Sequence, residues 1–185
     1  MRFFAILMSG FLFCAPVLAS ETVSPEGAFG EWRVYTAKEG SETLCFMVSS
    51  PQHTTTEREE NFLTVTHRPY ENSYNVISLM FGTTFHKTSR PTIEVDNHRP
   101  FELKTSDDSA FLKNEKDDLI LISQMIEGNV ARTKGKNHKK TLLRETFSLK
   151  GFSKAYELLN EKCPMQKEEV GQLQEAPVET SGEVK

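Results

Sequence analysis

The sequence has little of what marks several common kinds of protein. Its 185 residues include three cysteines and one tryptophan, and its formal net charge is only -4. So small a charge gives no reason to expect nucleic acid as an obligatory partner. Beyond the first twenty residues, no apolar run is long enough to span a bilayer. The length and the 26% of charged residues fit one domain with polar extensions.

Residue patterns that carry chemistry are also missing. No Gly-x-Ser-x-Gly turn is present to hold a nucleophile, and the pairs Asp107–Asp108 and Asp117–Asp118 lack the spacing and glycine of a calcium loop. No two histidines have the close spacing of a metal site, and we expect each at a surface or a strand end. We therefore predict no catalytic residue, no cofactor, no metal and no enzyme. The histidines are His53, His67, His86, His98 and His138.

The first residues, MRFFAILMSGFLFCAPVLAS, have the order of a secretory signal peptide. Arg2 supplies the positive start, an apolar run follows, and Val-Leu-Ala ends at Ala19. We predict a signal peptide at 1–19, with Ser20 as the alternative cleavage position. An uncleaved anchor competes, because the run reaches about the lower length limit of a membrane helix; Pro16 favours cleavage. The mature chain would then lie in the periplasm, at the outer membrane or outside the cell.

Cleavage would remove Cys14 and leave Cys45 and Cys163. An even number of cysteines in an exported chain favours a disulfide bond. The alternatives are a free reactive thiol or a metal pair, but neither cysteine has a histidine or another cysteine at ligand spacing. In the chain-entropy model, a bridge that closes a loop of about 120 residues stabilises a fold by roughly 4–5 kcal/mol.

Most of the mature chain alternates apolar and polar residues with the period of β-strands. In FGEWRVYTA, which begins at Phe29, Trp32 and Val34 alternate with Glu31 and Arg33. Similar short segments follow, and the regular strand–helix repeat of a parallel sheet is missing. We predict a mainly β fold, an antiparallel β-sandwich with two short helices, one of them C-terminal.

The first predicted helix lies in NEKDDLILISQMIEGN. Leu119, Ile122 and Ile126 fall on one helical face. Asn114 is the predicted N-cap and Gly128 the predicted end.

The second predicted helix lies in GFSKAYELLNEKCP. Ser153 is the predicted N-cap, and Pro164 prevents extension. We place the domain at 29–164, between a flexible lead-in at 20–28 and a disordered acidic tail at 165–185. The tail cannot bury enough apolar surface to offset its ordering entropy. The residues that share a face of this helix are Ala155, Leu158 and Leu159.

The strongest polar feature is the basic run RTKGKNHKK at residues 132–140. We place it around the tip of a hairpin. Such a patch fits an anionic lipid surface, a sulfated glycan or an acidic protein surface, and the lack of nearby aromatics argues against nucleic acid. The alternative is a solubilising loop whose lysines discourage edge pairing. The basic residues are Arg132, Lys134, Lys136, Lys139 and Lys140.

Several of these segments, in this order behind a signal peptide, resemble the invasion-associated locus B family. They are FGEWRVYTAKEG with LCFMVSSP, then THRP, RPFELKTSDDSAF and TFSLKGFSKAYELLNEKC, from about Phe29 to Cys163. TFSLKGF followed by a short helix that ends in cysteine is the most specific. The resemblance implies an immunoglobulin-like β-sandwich from a Gram-negative, typically alphaproteobacterial, cell. It carries the cysteine pair over to Cys45 and Cys163 and brings no established catalytic residue or cofactor.

The family takes its name from a locus needed for erythrocyte invasion. The resemblance therefore implies an exported, non-enzymatic envelope protein that binds a macromolecular partner and supports host-cell interaction. The partner would be a protein, a glycan or an anionic lipid surface. Two other functions compete: a periplasmic envelope-maintenance or chaperone-like factor with no host role, and a hydrolase whose site the sequence does not reveal.

Overall fold

The computed structural model describes residues 22–55 and 61–165. The predicted signal peptide, and the predicted acidic tail beyond Met165, lie outside the described residues. Within them, antiparallel strands dominate and two α-helices are present, so the mainly β fold class predicted from the sequence is confirmed.

The described strands form two antiparallel sheets. In chain order they are β1 (Val23–Phe29), β2 (Trp32–Glu39), β3 (Glu42–Ser49), β4 (His53–Thr54), β5 (Phe62–Arg68), β6 (Ser73–Met80), β7 (Thr92–Val95), β8 (Phe101–Glu102), β9 (Lys104–Ser106), β10 (Ser109–Phe111), β11 (Val130–Lys136) and β12 (Leu142–Ser148). The helices are α1 (Glu115–Glu127) and α2 (Phe152–Lys162). The larger sheet has the order β1-β2-β3-β5-β6-β10-β9, and the smaller one β4-β12-β11-β7-β8.

One face of the larger sheet carries the core, and we call it the inner face. Alternate residues along its central strands are fully buried there, as the two-residue period of a strand requires. The smaller sheet shares its core with this face, and both helices cover it: α2 lies against β1, β2 and β3, and α1 lies against β6 and against β7 of the smaller sheet. The largest fully buried side chains are Trp32, Phe81, Phe147, Phe152, Met47, Leu63, Ile77, Leu79, Ile93, Leu121, Met125 and Leu143.

Trp32 connects three elements at the centre of this core. Its ring lies edge-on to Phe152 of α2, with centroids 4.9 Å apart. Its indole Nε1 donates to the carbonyl oxygen of Ser148, at the end of β12, over 3.0 Å. A buried indole N–H needs such an acceptor, so this bond fixes how the two sheets and α2 meet.

Two glycines allow the TFSLKGF segment to lie against the turn between β1 and β2. Gly151 has φ +94° and Gly30 has φ +57°, and both belong to the left-handed region that favours glycine. A Cβ on Gly151 would overlap the carbonyl oxygen of Phe29, and one on Gly30 would overlap that of Lys150. The Glu31 N–H donates to the Lys150 carbonyl over 3.2 Å. The β1–β2 turn and the start of α2 therefore touch backbone to backbone.

The structure corrects the flexible lead-in predicted at 20–28. Residues 23–29 form β1, which pairs with β2 from Val23 opposite Ala37 to Phe29 opposite Trp32. The pairing shifts register between Pro25 and Gly27. An edge strand tolerates proline at such a bulge, and the bulge also removes the alternation that marks a strand in sequence.

The structure also corrects the buried face of α1. Leu121, Ile122 and Met125 are buried, whereas Leu119 is 52% exposed and Ile126 41% exposed. The run LILISQMI is apolar on nearly every side, so its periodicity does not single out the packed face. The predicted ends of this helix are correct. Asn114 Oδ1 accepts the Asp117 N–H over 3.0 Å, and the helix ends before Gly128.

The start of α2 differs from the prediction by two residues. Its N-cap is Gly151 rather than Ser153. Ser153 Oγ instead donates to the carbonyl of Ile126 over 3.1 Å, so the hydroxyl joins α2 to the last turn of α1. Ala155 and Leu159 are buried, as expected of their shared face.

Candidate functional site

Three of the five predicted basic residues lie along β11 and not at the hairpin tip. Arg132, Lys134 and Lys136 are exposed and alternate with buried residues. They therefore project from the outer side of the smaller sheet, about 6.6 Å apart along the strand. The prediction placed them at the tip because the sequence does not show how far β11 and β12 stay paired. The last pair is Lys136 opposite Leu142, so the loop spans only 137–141.

Arg144 joins this row, and the sequence analysis missed it. It is exposed on β12 and lies directly opposite Lys134. Like charges at opposed positions repel across about 5 Å and destabilise the strand pair. Among the described residues, the ion pairs within 4.0 Å are Arg90–Glu102, Lys113–Glu102 and Lys162–Glu26, so no described carboxylate lies within that distance of Lys134, Lys136 or Arg144. An anion bound from outside would relieve the repulsion.

A shallow recess lies beside these cations. Its volume is about 260 Å³. Ser89 Oγ accepts the Lys136 N–H over 2.9 Å and so attaches one wall to β11. Gly135 forms the floor, where a Cβ would lie 3.3 Å from the ring of Phe85. The recess thus combines hydroxyl groups with positive charge. It is lined by Thr88, Ser89, Arg90, Lys134, Gly135, Lys136 and Leu142.

We call Arg90, Lys134, Lys136 and Arg144, with this recess, the basic face. Arg132 is held differently, because its guanidinium donates to the carbonyl oxygen of Asp96 over 3.1 Å. The Asn129 and Val130 N–H groups donate to the Asp96 carboxylate over 3.0 and 3.1 Å. The Asn129 N–H is the main cause that lowers the pKa of Asp96. Arg132 therefore belongs to the junction of β7 and β11.

The hairpin loop presents the last two predicted lysines. Asn137 Oδ1 accepts the N–H groups of Lys139 and Thr141 over 3.0 and 2.9 Å, which fixes the loop from inside. Lys139 and Lys140 are exposed at its end, and Lys140 has φ +66°. The loop lies next to the basic face and extends its positive charge.

Three of the five histidines are exposed and His86 is half-buried, whereas His67 is buried. It is fully buried in β5, opposite Cys45, so the expectation of a surface position is wrong for this residue. Its Nδ1 lies 3.1 Å from the carbonyl oxygen of Cys163 and its Nε2 lies 3.1 Å from Asn75 Oδ1. Burial is the main cause that lowers its pKa.

The two histidines nearest the basic face, half-buried His86 and exposed His138, make local contacts. His86 Nδ1 accepts the Thr88 N–H over 3.2 Å and lies 3.0 Å from the hydroxyl of the same residue. His138 Nδ1 lies 3.3 Å from the Thr84 hydroxyl. These are turn contacts of surface loops, and neither aligns a histidine between a nucleophile and an acid.

Cys45 and Cys163 form a disulfide bond. Their Sγ atoms are 2.08 Å apart and their Cα atoms 5.9 Å apart, and both residues are buried. The bond joins β3 to the residue that follows α2, across 118 positions of sequence. It therefore holds the last helix on the inner face of the larger sheet.

Two buried carboxylates lie apart from each other. Asp118 Oδ1 accepts the Ile77 N–H over 2.9 Å, and burial raises the pKa of Asp118 to about 6. Glu145 is 1% exposed and accepts from Asn61 Nδ2 over 2.9 Å. In 22–55 and 61–165, no three His, Cys, Asp or Glu side chains come together as metal ligands. In the same ranges, no helix has the length and apolarity needed to cross a bilayer.

The invasion associated locus B (IalB) family model matches residues 32–160, which include the larger sheet from β2 onward, the basic hairpin and most of α2. This chain belongs to the invasion-associated locus B family. A solved relative in fold is invasion associated protein B from Bartonella henselae, with a TM-score of 0.54 and 15% sequence identity. The match covers 75% of this chain and 97% of that one, and at this identity the likeness concerns the fold. Comparison with curated proteins finds no match.

The comparisons assign no role to the residues of the basic face, so the argument for this face comes from this chain's own sequence and structure. Its strand residues follow from alternation in VARTKGK, which a sequence pattern can reveal. Arg144 and Arg90 required the register of β12 against β11 and the path of the loop before β7. The pattern LLRETFS does place Arg144 on the side opposite buried Leu143, so part of that signal was present.

Proposed function

We propose that this chain is an exported, non-enzymatic envelope protein that binds an anionic glycan through the basic face and supports host-cell interaction. The observation that carries the proposal is the opposed pair Lys134–Arg144. Together with Lys136 it concentrates positive charge beside a recess, without a described carboxylate within 4.0 Å. A fold maintains such repulsion at a cost, and a bound polyanion offsets it.

Export is supported by two independent features. The first is the order of charge, apolar run and small residues at 1–19. The second is the Cys45–Cys163 bond, because structural disulfides persist in oxidising compartments. The name of the Bartonella henselae relative, invasion associated protein B, supports a role at the host cell.

A glycan fits the basic face better than a membrane surface does. Proteins that bind lipid head groups usually also insert aromatic or aliphatic side chains beside their cations. Among the exposed large apolar residues of the described chain, Leu142 alone lies at the basic face, and it is 39% exposed. The recess instead offers the hydroxyls of Thr88 and Ser89, which suit a sugar that carries sulfate or phosphate.

The test uses the mature chain, residues 20–185, added to cultured mammalian cells. We expect binding to fall strongly after the cells are treated with enzymes that remove sulfated glycans, because the basic face then loses its anionic partner. A matched sample measures binding to vesicles of phosphatidylglycerol and phosphatidylcholine. Two results would contradict the glycan proposal. One is binding to treated cells that equals binding to untreated cells, and the other is binding to the vesicles as strong as binding to untreated cells.

A further inference from the structure

The other face of the larger sheet, which we call the outer face, is nearly free of charge. Both helices and the smaller sheet lie on the inner face. On the outer face, the 3-10 turn at Pro69–Glu71 lies against β3 and β6, at the Leu44 end of the sheet. The central outer-face residues are Tyr35, Phe46, Val48, Phe62, Thr64, Thr66, Val76, Ser78, Met80 and Phe111, and each is half-buried.

Strand register aligns these side chains into rows across the sheet. One row runs from Tyr35 through Phe46 and Thr66 to Val76. The rings of Tyr35 and Phe46 stack with centroids 5.2 Å apart and planes 19° from parallel. Aligned, pre-stacked rings of this kind form a flat apolar surface.

A second row has two polar residues at its centre, and these hydrogen-bond to each other. It runs from Val48 through Thr64 and Ser78 to Phe111. The Thr64 and Ser78 hydroxyls lie 2.6 Å apart and bond to each other, so they can leave water at little cost. The charged outer-face residues of these strands lie at the margins of this surface, near strand ends or on an edge strand: Arg33, Glu39, Glu42, Arg68 and Lys104.

The sequence of the central strands indicates that both of their faces are meant to be buried. Residues 44–48 read LCFMV and residues 76–81 read VISLMF. Runs this continuous are typical of strands covered on both sides, whereas a half-exposed strand alternates. The helices and the smaller sheet cover the inner side of β3 and β6, whereas the outer side is covered by the turn at Pro69–Glu71 at its Leu44 end and is half-buried at its centre.

We propose that the outer face is covered by the same face of a second copy of this chain, in a two-fold symmetric dimer. Seven strands about 4.8 Å apart, taken over an average length of about five residues, give a surface of roughly 30 by 17 Å. That is about 500 Å² per copy and about 1,000 Å² for two, the lower bound of a specific interface.

Three properties favour a second copy over another protein. Two sheets of equal twist pack face to face at about -30° without any special shape. A two-fold interface requires a surface that complements itself, and this one has no central charge to repel its own image. Charge depletion at the centre is also what distinguishes interface cores, and homodimer interfaces are the most apolar of these.

The test measures the mass of the mature chain, residues 20–185, by sedimentation velocity between about 1 and 100 µM. We expect a dimer, and we expect Thr66→Arg to raise its dissociation constant at least about 100-fold, because symmetry buries the unpaired charge twice. The matched control is Thr92→Arg, on the smaller sheet at a similar exposure, which should leave the dimer intact. A monomeric wild-type chain, or a dimer unaffected by Thr66→Arg, overturns the proposal.

A second measurement keeps the proposal testable if Thr66→Arg fails to fold. Hydroxyl-radical labelling of the wild-type chain should increase at Tyr35, Phe46 and Met80 on dilution, and stay constant at exposed Leu142 of the smaller sheet. Labelling of the three residues that does not depend on concentration overturns the dimer. Protection that disappears when the chain is shortened to end at Met165, in a sample that stays monomeric, identifies the tail as the cover and also overturns it.

Discussion

The carbonyl oxygen of Cys163 lies 3.1 Å from Nδ1 of His67, the residue paired with Cys45 across β3 and β5. The disulfide, the end of α2 and a buried imidazole thus form one cluster. Asn75 completes it, because its Oδ1 lies 3.1 Å from His67 Nε2 and accepts from the Tyr156 hydroxyl over 2.7 Å. The charge state of His67 is therefore linked to how α2 is held.

His67 should make the fold sensitive to acid. Burial lowers its pKa below the ordinary 6.5, so the folded chain favours the neutral ring. The stability it contributes is complete above pH 6.5 and is lost as the pH falls through the folded pKa. Urea unfolding at pH 7.5, 6.5 and 5.5 should show this loss in the wild type and a flatter profile in His67→Gln. The control, His53→Gln at an exposed site, should keep the wild-type profile; identical profiles for all three chains would contradict this role.

Asp118 should act in the opposite direction. Burial raises its pKa from the ordinary 3.8 to about 6, so the stability it contributes is complete below pH 3.8 and is lost as the pH rises through 6. Asp118→Asn keeps an acceptor for the Ile77 N–H without the charge. We expect it to raise the free energy of unfolding at pH 7.5 by about 1–3 kcal/mol, with little change at pH 4. The control is Asp107→Asn, at an exposed turn. Equal changes in the free energy of unfolding for the two substitutions would contradict the role given to Asp118.

Gly151 should be among the least replaceable positions. Gly151→Ala meets a left-handed backbone and also the carbonyl of Phe29, so we expect a loss of more than about 3 kcal/mol. Gly40→Ala is the matched control, because Gly40 has φ +64° but nothing within 4 Å of an added Cβ. It should cost about 1–2 kcal/mol, the backbone part alone. Thermal unfolding measures the loss of stability in each variant. Equal losses would mean that the close contact of Gly151 with the β1–β2 turn contributes nothing.

Removal of the disulfide should loosen α2 first. The Cys45→Ala, Cys163→Ala chain should lose about 4–5 kcal/mol of unfolding free energy by the chain-entropy account. Hydrogen exchange should accelerate most in 152–163, where the bond holds the helix end. Alkylation followed by mass spectrometry gives the parallel check on the native protein. Both cysteines of the mature chain reacting without a reductant would contradict the bond.

Local signals predicted the elements of this fold well. Asn114 and Gly128 marked the ends of α1 because caps act through their own backbone neighbours. Alternation marked β2 and β5, because the two faces of a strand differ from one residue to the next. β1 was not predicted as a strand. Pro25 and the bulge beside it remove the alternation, and the strand is paired only with β2.

Features set by packing were less accessible to sequence reasoning. The face of α1 depends on which of several apolar residues meets β6, and the pattern placed Leu119 and Ile126 inside where the structure leaves them outside. Arg144 became part of the basic face only through its register opposite Lys134. The apolar outer face had a signal in LCFMV and VISLMF, but its meaning depended on knowing that one side of the sheet is already full.

The measurement that tests the central claim most directly is the dissociation constant of the mature chain for heparin, a sulfated glycan, at fixed ionic strength. The variant reverses the basic face, Lys134→Glu, Lys136→Glu and Arg144→Glu. The control reverses the same number of exposed charges elsewhere, Lys116→Glu, Lys150→Glu and Lys154→Glu. With about 1 kcal/mol per cation at an anionic surface, the first variant should bind more than about 100-fold more weakly than the wild type, and the control should stay within a few-fold. Equal weakening in both would mean that net charge, and not the basic face, binds the glycan.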